Sequence, residues 1–272
     1  MAYFTFEEKQ VYYETYGDGE PLLLLNGIMM SCASWANYIE PFSRFYKLIL
    51  VDFLDQGKSD CYETEYDHSV QVRLVNALLV HLNVSKVILV GYSYGGYIAL
   101  QYAIAKPEHV SRLMLFNATA SYGEWLRDVG HSWNLAVDNP AQYYYTTIPV
   151  IYSPYFYKTH NDWMENRRIA LEPLFSNQRW LDGMVRLTNS SENYDVRDQL
   201  CRIHCPTLIV SSEQDYLIPL AEQEYLAEHI LDSHHVIIPN CGHASMYERP
   251  SLFASLILGF AGLGPANLDC FD

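Results

Sequence analysis

The sequence predicts an α/β protein whose mostly parallel sheet is covered by helices on both faces and interrupted by a helical insertion. Three observations carry this expectation. Short apolar runs, Leu22-Leu23-Leu24-Leu25, Lys47 to Asp52 (KLILVD) and Lys86 to Val90 (KVILV), suit strands buried on both faces. Helical spacing between the later runs gives the strand-helix alternation of a parallel sheet wrapped on both sides. From Ser121 to Asp198 the buried runs vanish and aromatic clusters replace them.

The chain opens, roughly from Tyr3 to Tyr16, with aromatic and polar residues alternating around Glu7-Glu8-Lys9, as two half-buried strands joined by a turn would. Gly17-Asp18-Gly19 ends that hairpin, and Pro21 and Gly27 bound the first buried strand. Ser69 to Leu82 carries Val72, Val75, Leu78, Leu79 and Leu82 at helical spacing, which predicts a crossover helix. A second helix is expected after Ser93, and a further buried strand at Leu113 to Phe116. The segment 121–198 holds Tyr143-Tyr144-Tyr145, further aromatics from Tyr152 to Tyr157, and Trp125, Trp133, Trp163 and Trp180. It reads as a mainly helical insertion in a core domain made of residues 1–120 and 199–272. The sheet resumes with Thr207 to Val210 and His235 to Ile238, each followed by a loop and a helix, and Gly264 to Asp272 reads as a loose tail.

A length of 272 residues suits one α/β domain with an insertion, and the hydrophobic share of 50% with 18% charged residues argues against wholesale disorder. The formal charge of -15, from 17 basic and 32 acidic residues, repels phosphate backbones and anionic membrane surfaces, so no nucleic acid partner is expected. The opening MAYFTFEEKQ lacks the pattern of a secretory signal, and no apolar run approaches the length of a membrane span. A cytoplasmic protein is expected, and no feature sets its oligomeric state. Six scattered cysteines read as reduced thiols; Cys201, His204 and Cys205 lack a second ligand pair, so no metal is expected.

Gly91-Tyr92-Ser93-Tyr94-Gly95 fits the G-x-S-x-G nucleophile elbow and stands between the strand KVILV and an apolar helix. Glycines suit such a turn because strand and helix approach closely there. A serine hydroxyl is a weak nucleophile at neutral pH and needs a base, for which histidine is suited. Of ten histidines, His243 follows the last buried strand, which puts it at the same sheet edge as Ser93. His68, His81, His109 and His131 have no such placement. Asp215 closes the loop after Thr207 to Val210 and would orient the imidazole, with Glu213 as the nearby competitor. After the preceding strand the position offers Asn117, which carries no charge. The oxyanion donors are expected to be the backbone N–H groups of Tyr94, next to the nucleophile, and of Ile28 in the turn Asn26-Gly27-Ile28-Met29.

Taken together, these residues resemble the α/β-hydrolase superfamily over nearly the whole chain, in the branch with a serine nucleophile and a helical cap. Asp52-Phe53-Leu54-Asp55-Gln56-Gly57-Lys58-Ser59 is similar to that family's D-x-x-G-x-G-x-S loop, with Asp55 at the middle glycine position. Many members carry His-Gly at the oxyanion loop where this chain has Asn26-Gly27, and an amide side chain is expected to brace the loop in its place. The resemblance implies an α/β-hydrolase fold with an eight-stranded sheet and a cofactor-free reaction through an acyl-enzyme. The family's dehalogenases and epoxide hydrolases need an aspartate at the elbow, which the serine disfavours.

The expected activity is therefore a serine hydrolase of carboxylic esters, lactones or thioesters acting on a small-molecule acyl substrate. Two alternatives stand beside it. The Leu25-Asn26-Gly27 loop locally resembles the rhamnolipid-pathway acyltransferases, which leaves acyl transfer open, and the same scaffold can serve as a non-catalytic small-molecule receptor. The cap aromatics, with Met29 and Met30, either line an acyl pocket or pack the cap on the sheet.

Overall fold

The computed structural model describes residues 2–262. An antiparallel hairpin of β1 (Ala2–Phe6) and β2 (Lys9–Tyr16) begins the chain. Its turn sets Glu7 at φ 45° and Glu8 at φ 66°. Two left-handed residues in a row give a tight turn whose twist matches the flanking strands. Next come β3 (Glu20–Leu25), α1 (Ala36–Ser43), β4 (Tyr46–Val51), α2 (His68–His81), β5 (Val87–Tyr92), α3 (Tyr94–Ala105) and β6 (Val110–Phe116). Five helices interrupt the alternation: α4 (Glu124–Leu135), α5 (Pro140–Thr147), α6 (Pro154–Thr159), α7 (Asn161–Phe175) and α8 (Gln178–Asn189). The chain then completes the sheet with β7 (Thr207–Ser212), α9 (Leu220–His229) and β8 (Ser233–Ile238), and ends on α10 (Ser245–Glu248) and α11 (Pro250–Ala261).

One sheet holds the eight strands in the order β1-β2-β4-β3-β5-β6-β7-β8. The pairs β1/β2 and β2/β4 are antiparallel, and every pair from β4 onward is parallel. This is the eight-stranded, mostly parallel, helix-flanked sheet that the resemblance implied. The unbroken apolar runs follow from its two covered faces. Leu23 and Leu25 enter one layer with Leu74, Leu78 and Ile98 of α2 and α3, while Leu22 and Leu24 enter the other with Phe42 of α1 and Phe253 of α11. All four leucines are fully buried.

Helix α2 buries a face slightly rotated from the one its spacing suggested. Val70, Leu74, Val75, Leu78 and Leu79 are buried, whereas Val72 and Leu82 are only partly covered. Asp67 caps it by accepting from the Ser69 amide at 2.8 Å, a contact worth about 1 kcal/mol. Sequence patterning gives no element for residues 31–45, yet α1 forms there. With eight residues and Pro41 inside it, α1 is too short to show a period; Tyr38 against Phe253, ring centroids 5.1 Å apart, fixes it in place. The expected loose tail, with Cys270, lies outside the described residues.

The helical segment leaves and rejoins the sheet through one narrow neck. Ser121 bridges Asp195, the Tyr122 amide donates to Tyr194 O at 2.8 Å, and the Val196 amide donates to Ala120 O at 2.9 Å. A buried ion pair fastens it again: Arg186 of α8 donates to Asp55 Oδ1 from Nη2 at 2.5 Å and from Nε at 3.1 Å. Asp55 sits at φ 68°, a conformation that costs a non-glycine residue roughly 1–2 kcal/mol, and its Oδ2 has no hydrogen-bond partner. The departure from the family's glycine therefore has a structural purpose, since only a side chain there can reach the helices. Among the described residues no helix is long and apolar enough to cross a membrane.

Removing one partner leaves a charge uncompensated in the interior. Arg186→Leu should lower unfolding stability by about 3–5 kcal/mol in urea titrations, and adding Asp55→Gly in the same chain should restore most of it. Equal losses in the single and double variants would sink the pairing.

Candidate active site

Strand β5 passes into helix α3 through a single residue, Ser93, at φ 52° and ψ -119°. A serine persists in that sparsely populated region only when its neighbours dictate it. Here the Ser93 amide donates to Phe116 O at 2.8 Å, while its carbonyl accepts from the Gly96 amide at 2.7 Å. The flanking glycines are required by contact. A Cβ on Gly95 would lie 2.3 Å from Leu25 O, and one on Gly91 would lie 2.6 Å from Gly95 O. The first turn of α3 thus rests directly on the end of β3.

Ser93, His243 and Asp215 come together at the C-terminal edge of the sheet. His243 Nε2 lies 2.9 Å from Ser93 Oγ, and His243 Nδ1 lies 2.7 Å from Asp215 Oδ2. The carboxylate can only accept, so Nδ1 carries the proton and Nε2 is left to accept from the serine hydroxyl. Asp215 itself is held from behind, its Oδ1 accepting from the amides of Leu217 at 2.9 Å and Ile218 at 2.8 Å. Its side chain is fully buried and that of His243 nearly so. Glu213 turns elsewhere and accepts from the Asn240 amide at 2.7 Å.

The loop after β3 is braced by amide side chains. Asn26 donates to Val51 O at 2.8 Å and to Gln56 Oε1 at 3.1 Å, and accepts from the Trp35 indole at 2.7 Å. Gln56 in turn donates to Gly27 O at 2.9 Å and to Ile28 O at 3.0 Å. Among the described residues, no hydrogen bond takes up the Ile28 or Tyr94 amide. Ile28 and Ser93 line both of two adjoining cavities, and Tyr94 lines the smaller.

The larger cavity holds about 680 Å³ of atom-free space, its mouth included, between this edge and the helical segment. Met29, Met30, Trp133, Tyr152, Phe175 and Trp180 are among its walls. Both methionines therefore face it, whereas Trp125, Tyr145 and Tyr155 of the helical segment are largely exposed. The five described cysteines are free thiols, and burial pushes that of Cys241, two residues from His243, up to about 12. Among the described residues no group of three or more His, Cys, Asp or Glu side chains could hold a metal ion.

Several supporting residues escape sequence reasoning. Asn117, which the sequence offers only as an uncharged stand-in for an acid, donates to His243 O at 2.5 Å and accepts from Ser212 Oγ at 3.2 Å. The Tyr92 hydroxyl donates to the same carbonyl. Glu248 is buried and accepts from Ser153 N at 2.7 Å, Ser153 Oγ at 2.6 Å and Gly242 N at 3.2 Å, which ties the His243 loop to the start of α6. No local pattern marks a glutamate in a four-residue helix as buried. Among the described residues, Arg167, on α7, is the one permanently charged side chain on the wall of the larger cavity.

Residues 20–250 match the family model for the alpha/beta hydrolase fold. The structure is similar to that of MGS-M2, described as an alpha/beta hydrolase enzyme from a Medee basin deep-sea metagenome library, with a TM-score of 0.94 and 48% identity over 96% of this chain and 97% of that one. Over 267 residues the chain is 26% identical to a protein of Azorhizobium caulinodans provisionally named as the carbamate hydrolase RutD, covering 96% of this chain and 98% of that one. It is also 24% identical over 255 residues to the pimeloyl-[acyl-carrier protein] methyl ester esterase of Nitrosomonas europaea, covering 90% of this chain and 97% of that one.

Overpacking a helix against backbone cannot be relieved by a rotamer change. Gly95→Ala should cost about 3 kcal/mol or more in thermal unfolding, while Gly259→Ala, where an added Cβ meets nothing within 4 Å, should be neutral or slightly stabilising. Similar melting temperatures for the two variants would contradict the contact at the elbow.

Proposed function

The chain belongs to the alpha/beta hydrolase fold family, and on that premise we propose that it is a serine hydrolase cleaving a carboxylic ester, lactone or thioester through an acyl-enzyme. The observation that carries this reading is the hydrogen-bonded chain from Ser93 Oγ through His243 to Asp215, opening on an apolar cavity. In this reading Ser93 Oγ attacks the acyl carbon while His243 Nε2 takes its proton, and the imidazolium that forms is stabilised by the Asp215 carboxylate. The backbone N–H groups of Ile28 and Tyr94 are the donors for the oxyanion, each of them worth several kcal/mol of barrier. His243 returns its proton to the departing alcohol, then activates water to release the acid and regenerate Ser93.

Residues 121–198 act as the cap that walls the acyl site, on a core of 1–120 and 199–272. A carbamate, named for the Azorhizobium relative, offers an acyl carbon open to the same attack. The Nε2 lone pair turned to the Ser93 hydroxyl and the two untaken amides favour turnover over a receptor that only binds. The reaction needs no cofactor in this account.

Two readings of one experiment test it. Wild type should hydrolyse short p-nitrophenyl esters and be labelled by a fluorophosphonate at the peptide that contains Ser93, whereas Ser93→Ala should lose the label and on the order of 10⁴-fold or more of kcat. Asp215→Asn should cost about 10⁴-fold in kcat because it favours the wrong imidazole tautomer, and Glu213→Gln should remain close to wild type. An equally active Ser93→Ala would end the proposal.

A further inference from the structure

Helix α7 turns one face toward the larger cavity, with Arg167, Leu171 and Leu174 on successive turns. A guanidinium on an apolar wall is costly unless an anion meets it. Among the described residues no carboxylate pairs with Arg167: neighbouring Glu165 is taken by Arg168 at 2.7 Å, and Glu248 is satisfied by Ser153 and Gly242. Its Nε is buried without a hydrogen-bond partner. The guanidinium carbon lies 5.0 Å from the centroid of the Tyr247 ring, and the Tyr152 and Tyr247 hydroxyls beside it are neutral partners, so among the described residues the wall offers the charge no anion. Burial works against its charge, but the Tyr152 and Tyr247 phenols beside it more than offset that, so it stays protonated. The surroundings are otherwise apolar, with Ser93 and His243 in the same cavity.

We propose that Arg167 is a specificity determinant that receives a carboxylate at the far end of the acyl chain, so that the preferred substrate is an ester whose acyl part ends in an anion. The proposal rests on the serine-hydrolase reading of the same cavity. Leucines 171 and 174 line the path for the methylene chain, and the planar fork of Arg167 matches a carboxylate as an ammonium would not. The charge of -15 repels anions at long range, so the selection must come from this contact at close quarters and not from general attraction.

The test compares methyl hydrogen esters of the dicarboxylic acids from succinate to suberate with the neutral methyl alkanoates of equal carbon number. In wild type, kcat/KM for the best half-ester should exceed that of its neutral partner by about tenfold or more, as expected for a charge-assisted contact in a dry site. In Arg167→Gln that ratio should fall toward one, carried by KM, and Arg167→Lys should keep part of it. A wild type without the preference, or an Arg167→Gln variant that retains it, would overturn the assignment while leaving ester hydrolysis intact. Binding of adipate against hexanoate to Ser93→Ala, followed by calorimetry, reads the same contact without turnover. Loss of adipate selectivity on adding Arg167→Gln supports it, and equal binding of the two acids counts against it even if no ester is cleaved.

Discussion

A place in the chain where no methyl group fits governs the rest of this molecule. The first turn of α3 lies against the carbonyls of Leu25 and Asn26, and the glycine at position 95 makes that approach sterically allowed. Because helix and strand touch there, the residue between β5 and α3 has to turn within a single left-handed step, and its side chain is thrown outward at the sheet edge. The strain at Ser93 is offset by ordinary forces, chiefly two backbone hydrogen bonds and the packing of α3 between β5 and α2. The hydroxyl is held in place because its backbone lies between β5 and a helix turn that touches the end of β3.

The opposing half of the site is held differently. His243 sits on a loop, and loops need ties. Two side-chain donors, from Asn117 and Tyr92, converge on its carbonyl, while Asp215 fixes its ring. Glu248 joins Gly242 to Ser153, and the Ala244 amide donates to Ile151 O at 3.0 Å. The loop that bears the imidazole is thereby bonded both to the sheet beneath it and to the helices above it. Together with the Asp55–Arg186 pair, these links tie the helical segment to the core at points away from its neck.

Much of this was legible in the sequence because period and burial are local properties. Leu22 to Leu25 and Lys86 to Val90 read as buried strands, and the hairpin at Glu7-Glu8, the helix near Ser69 to Leu82 and the helical character of residues 121–198 all follow from patterning. The positions of Ser93, Asp215 and His243 relative to strand ends were also readable, since a parallel sheet collects the loops after its strands on one edge. Illegible were the features that depend on long-range contact. Helix α1 is specified by a ring packing onto α11, some two hundred residues away, and Glu248 looks like any surface glutamate until Ser153 and Gly242 surround it. Arg167 sits in a stretch of mixed charge whose inward side only the packing of α7 decides. Asn117 was readable as a position but not as a donor, because its role depends on where the His243 carbonyl points.

The amide lattice under the oxyanion loop carries an evolutionary corollary. Asn26, Gln56 and Trp35 satisfy one another in a dry interior, each supplying what another lacks. Asn26 donates twice and accepts once, whereas a neutral imidazole donates once and accepts once, so a histidine grafted onto position 26 alone would leave at least one of Val51 O, Gln56 Oε1 and the Trp35 indole unpaired, at about 1–3 kcal/mol. The three side chains are therefore coupled energetically, and a change at any one of them is tolerated best when its partners change with it.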